Sequence, residues 1–202
     1  MEVTTHHTAQ AAGILLVASA ATQIIYTALY VTETDVPRQM LWGLESVLFT
    51  LIAALAGALL GQVKRYHLAW SAIIAASLLN VVQVSVGLTM FNPFFESAGN
   101  VEGFSPAANA VVEFSFMIYN SAKALLAVAL VVFSLGAGGV YGKIGASVGA
   151  VAMLSNLLSM AAGTDIFGEL PVAGSSGVAA TLLLGVHLLR VAEDADARQG
   201  LS

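Results

Sequence analysis

Residues 108–135 read ANAVVEFSFMIYNSAKALLAVALVVFSL, and in that run only Glu113 and Lys123 carry charge at neutral pH. Wound as a helix rising 1.5 Å per residue, such a run reaches about 40 Å, beyond the roughly 30 Å of a bilayer's hydrocarbon core. Lipid is the solvent it fits. Runs of similar character recur at 9–31, 40–62, 67–91, 140–162 and 170–191. The expected fold is therefore all-α: a polytopic integral membrane protein whose single domain, 1–202, is a six-transmembrane-helix bundle.

The whole composition agrees with that stretch. Of 202 residues, 58% are hydrophobic and 9% charged, whereas a soluble domain devotes about a quarter of its residues to charge. So few charged side chains cannot clothe a water-exposed surface. The lipid bilayer is the partner this implies. The only adjacent basic pair is Lys64 and Arg65, which is no footprint for nucleic acid. The chain has no cysteine, so thiolate metal sites, disulfides and cysteine nucleophiles are excluded together. His6, His7, His67 and His187 follow no metal-ligand spacing, and no phosphate-binding, nucleophile-elbow or zinc-protease motif occurs. No cofactor, metal site or catalytic residue is assigned from sequence, and an enzyme is the less favoured class. Residues 1–10 carry no Lys or Arg, so a basic signal-peptide head is lacking and the first run is expected to remain as a span.

Six spans put both ends of the chain on one side. That side holds Lys64, Arg65, Lys143, Arg190 and Arg198, while Arg38 stands alone among the acidic Glu33, Asp35, Glu96, Glu102, Asp165 and Glu169 opposite. An excess of Lys and Arg marks the cytoplasmic face, so both ends are expected inside. The layout resembles small six-helix proteins of the bacterial cytoplasmic membrane, a resemblance that implies no activity. Residues 92–107 are expected to form the longest loop, with Phe94 and Phe95 anchored at the outer interface, and 193–202 a frayed polar tail.

Small residues let helices approach closely in lipid. Ala53, Gly57 and Gly61 form one ridge; Gly138, Gly142, Gly145 and Gly149 form another. Packing within the chain is the first expectation for both, and a homo-oligomer the second. The third and fifth spans also share a pattern: Leu78, Asn80, Gln83, Gly87 and Phe91 match Leu154, Asn156, Ser159, Gly163 and Phe167 at equal offsets. Each follows a span with a glutamate near its outer end, Glu45 or Glu113. Spans two and three would then be a parallel repeat of four and five, against which stand unequal Glu-to-Asn spacings and the commonness of Leu, Gly and Phe in membrane helices.

Polar groups inside spans are costly and are functional candidates by default. Glu113, Asn120 and Lys123 lie within about 80° of one another around the fourth helix, given 100° per residue. Asn80 with Gln83, Asn156 with Ser159, and Ser19, Gln23, Tyr26 and Tyr30 form further stripes. The candidate ligand-binding set is Glu45, Asn80, Gln83, Glu113, Asn120, Lys123 and Asn156. Lys123 is read either as a cationic or proton-linked centre or as a charge paired with Glu45 to fix helix register; Gln23, Asn80, Asn120 and Asn156 are read first as interhelical glue. Three functions follow. The first is binding or translocation of a small solute or ion through a polar cavity. The second is a non-catalytic subunit of a membrane complex, and the third an enzyme using Glu45 and Glu113 on a lipid-like substrate.

Overall fold

The computed structural model describes residues 5–34, 37–163 and 172–199, with side chains as far as Arg190 in the last helix. Asp35, Asp165, Phe167, Glu169, the start of the sixth predicted run and the side chains of the tail, Arg198 included, lie outside the described residues. The helices are α1 (Thr5–Val31), α2 (Arg38–Gln62), α3 (His67–Asn100), α4 (Ser105–Ala137), α5 (Gly139–Ala162) and α6 (Val172–Gln199). Each is long and apolar enough to cross a membrane. The protein is an all-helical, multi-pass membrane protein, as the apolar runs require.

Hydropathy tells where a helix leaves lipid, not where it stops. α3 runs past Phe91 and through Pro93 to Asn100, and α4 begins at Ser105 with a proline in its first turn. The long loop expected at 92–107 is thus mostly two helical extensions, closed by a turn in which Gly103 takes a positive φ of 80°. A proline in the first turn wastes no hydrogen bond, which explains the start of α4. α4 gives way to α5 at Gly138 and Gly139, both at positive φ, where a residue with a Cβ would strain the backbone.

Around the bundle, each helix packs on the next, α6 returns to α1, and α4 also packs on α6. Helices α1, α2, α3, α4 and α6 therefore enclose one interior, and α5 lies outside it against α4 and α6. The ring closes where two glycines meet. A methyl at Gly13 would come 2.9 Å from the carbonyl oxygen of Gly185, and one at Gly185 equally near that of Gly13. Backbone stands against backbone there. Gly142, Gly145 and Gly149 likewise seat α5 on Ser134, Val131 and Ala127 of α4. The other ridge departs from expectation: Gly57 and Gly61 are exposed, with nothing within 4 Å of an added methyl. A span has more than one face, and only three-dimensional packing decides which of them is covered.

Candidate functional site

The enclosed interior is layered, and α2 shows how. Arg38, Trp42, Glu45, Phe49, Ile52, Ala56 and Leu59 recur every three or four residues and so share one face. All but Arg38 are buried. Along α1 the matching face carries Tyr30, Tyr26, Gln23, Ser19, Leu16 and Ala12. From the α1–α2 turn inward, these two stripes pass from charged to aromatic, then polar, then apolar.

At the α1–α2 turn lies an open cavity of about 1140 Å³, lined by Tyr30, Glu33, Thr34, Arg38, Gln39 and Asn92 among others. Beneath it is an aromatic layer. The Tyr26 ring lies 5.4 Å from Trp42, and Trp42 lies 5.7 Å from Phe91, centroid to centroid. Gly87 makes room for this layer, since a methyl there would overlap the six-membered ring of Trp42. One helical turn below Trp42, Glu45 is 5% exposed and faces Thr22.

Lys123 is the centre of the polar layer. Its side chain is wholly buried, yet its ammonium donates to two neutral oxygens, Gln23 Oε1 at 2.7 Å and Thr181 Oγ1 at 3.3 Å. The rings of Tyr119 and Phe49 lie 5.1 and 5.9 Å from Nζ, near enough for cation–π attraction. Thr181 gives its own hydrogen to the carbonyl of Gly177 at 2.8 Å, leaving lone pairs for the ammonium. Gly177 is needed besides, because a methyl there would sit 2.8 to 3.1 Å from the Lys123 stem. Glu45 acts on Lys123 electrostatically, but no direct ion pair within 4 Å joins them among the described residues. The Gln23 amide stands next to both. Its Oε1 accepts from Lys123, and its buried Nε2, which makes no full hydrogen bond, is turned toward the Glu45 carboxylate.

The other sequence candidates are placed variously. Gln83 donates to Ser115 on α4 at 3.2 Å. Asn80 and Asn156 adopt the same local pose, each wholly buried and each donating to the carbonyl four residues back, Ala76 and Ala152, with Oδ1 unpartnered. Asn156 also donates to Ala173 on α6 at 3.0 Å. Asn120 is half-buried and Glu113 exposed. Ten residues separate Glu113 from Lys123, about 15 Å of rise and 80° of rotation, too far for direct pairing along one straight helix. Glu113 makes no ion pair among the described residues. Within this set, Glu45 and Lys123 act on one another electrostatically.

Some partners of Lys123 were partly legible and others were not. Gln23 stood on a polar stripe, and Tyr119 lies one helical turn from Lys123. Thr181, and Thr22 beside Glu45, gave no signal, since isolated threonines are ordinary in spans. Among the described residues no three His, Asp or Glu side chains group as a metal site. The fold and its polar interior define a six-span membrane protein with a charged core. No family model, curated protein or solved structure matches this chain.

Proposed function

We propose that the protein binds and translocates a small solute or ion, with Lys123, Gln23, Thr181 and Glu45 as its central site and the cavity around Arg38 as its approach. The observation that carries this reading is the state of Lys123. A lysine kept only to fix helix register is best served by direct contact with its carboxylate, because a buried charge is costly until paired. Here the ammonium meets neutral oxygens from two helices, and the Gln23 amide nitrogen beside it is turned toward Glu45 without completing a hydrogen bond. Such leftover capacity fits an exchangeable occupant. Of the wider candidate set, Asn80 and Asn156 with their unpartnered oxygens are a further polar lining, while Gln83, Asn120 and Glu113 would serve the route rather than the centre. Both chain ends in the cytoplasm of a bacterial inner membrane, as the basic residues imply, would open the cavity to the outside.

The test is a thermal-unfolding screen of purified protein against small neutral, cationic and anionic solutes. A hit that raises the melting temperature in the unsubstituted protein and fails in Lys123→Met supports the site. If every hit persists in Lys123→Met, the site is misplaced.

A second reading, an assembly subunit or homo-oligomer, draws on the uncovered Gly57 and Gly61, a surface suited to a neighbouring helix. Gly57→Leu would then lower the detergent-corrected mass in sedimentation equilibrium; an unchanged mass counts against it. The enzyme reading draws less support, because Glu45 is buried and Glu113 exposed.

A further inference from the structure

We infer that the central site takes up a small monovalent anion together with one proton, the anion on Lys123 and Gln23 and the proton on Glu45. This rests on the carrier reading above and narrows its substrate class.

What remains unused beside the ammonium is donor capacity. An ammonium has three hydrogens, and Lys123 directs two bonds, to Gln23 Oε1 and Thr181 Oγ1. Gln23 Nε2 adds a buried donor that is turned toward Glu45 without completing a hydrogen bond, and protonation of Glu45 releases it to an anion. Thr181 cannot supply another, since its hydrogen goes to Gly177. A ligand there must accept hydrogen bonds and is favoured by a positive charge. An anion meets both conditions, a cation neither. With Lys123 wholly buried, the part of the ligand that reaches it must be small.

Charge balance then requires a proton. Empty, the interior holds Lys123 and Glu45 with opposite charges; a bound anion would leave two negative charges against one positive where unpaired charge is costly. Protonating Glu45 restores neutrality. The local geometry suits both states. Thr22 Oγ1 lies 2.8 Å from the Ser19 carbonyl and 3.1 Å from Glu45 Oε1. With Glu45 ionised, Thr22 turns its one hydrogen to the carboxylate; with Glu45 protonated, the new O–H donates to Thr22 Oγ1 and Thr22 turns its hydrogen to the Ser19 carbonyl. The titratable groups acting on Glu45 from neighbouring helices are Tyr26 of α1 and Lys123 and Tyr119 of α4. Arg38 is the nearest cation on its own helix. On α3, Val84 and Gly87 border the Trp42 layer above it, and neither titrates.

The step is balanced: one anion enters, one proton from the same compartment forms an O–H bond on a Glu45 carboxylate oxygen, and both leave on the far side. Net charge moved is zero. Because anion and proton each favour the other's binding, the coupling is reciprocal.

The experiment uses proteoliposomes with a trapped pH dye and, in turn, chloride, nitrate and lactate outside. The expected result is anion uptake with matching internal acidification, unaffected by a potassium–valinomycin potential. Lys123→Met should slow uptake by about tenfold or more, and Glu45→Gln should retain anion-for-anion exchange while net uptake falls about as far. Lys123→Arg, which keeps the charge, and circular dichroism melts guard against misfolding. Anion flux without proton movement, or flux driven by the potential, overturns the inference and leaves the carrier reading. Movement of sodium or a neutral solute that needs Lys123, with no anion flux, does the same. If no solute moves in folded protein, both readings fail.

Discussion

Removing the charge of Lys123 should cost more than removing it together with that of Glu45. Lys123→Met keeps most of the stem volume but deletes two hydrogen bonds and two ring contacts. It also leaves Gln23 Oε1 without its donor, worth about 1–3 kcal/mol when buried. Glu45, 5% exposed, would lose its countercharge, and breaking a buried pair by removing one member costs roughly 3–5 kcal/mol. In Lys123→Met with Glu45→Gln the stranded charge is gone, so the double variant should recover about 2 kcal/mol of that loss. The assay is a double-mutant cycle by unfolding in SDS–detergent mixed micelles, followed by far-ultraviolet circular dichroism. Additivity within about 0.5 kcal/mol would show the two charges to be energetically independent and refute the reasoning.

Three further outcomes follow from close contacts. Gly177→Val should push the Lys123 stem aside and destabilise the fold by about 1–3 kcal/mol, as overpacking does; the same micelle titration measures it, and a neutral effect would mean α6 yields freely. Gly13→Leu should separate α1 from α6, because the obstacle is the Gly185 backbone at 2.9 Å and not a pliant side chain; loss of the monodisperse gel-filtration peak is expected, and an unchanged peak and melt would contradict the seam. Gly87→Ala should displace the Trp42 ring. Of the chain's two tryptophans, Trp70 would first be changed to Phe, so that a shifted emission maximum reports Trp42 alone; an unshifted spectrum would show that the layer absorbs the methyl.

Tyr66 shows a compromise that sequence does not reveal. It takes a left-handed φ of 62° between α2 and α3, a strain of about 1–2 kcal/mol for a residue with a Cβ. In return its ring packs 5.2 Å from that of Phe133 and over Gly136.

Sequence alone determined the six helices and the residues that cannot face lipid, because a backbone in hydrocarbon must satisfy its own hydrogen bonds and a long apolar run leaves it no other form. It singled out Glu45, Glu113 and Lys123 alike for the same energetic reason, and only the packing separated the exposed Glu113 from the buried pair. It did not determine which helix faces meet. The ring with α5 outside, the exposed Gly57 and Gly61 beside the buried glycines of α5, and the placement of Gln23 and Thr181 around one ammonium all depend on contacts between residues far apart in the chain. Gln23 and Lys123 are separated by 100 positions. A helix's periodicity shows that it has a polar face, and only packing against particular neighbours decides what that face touches, so the charged core belongs to the tertiary structure.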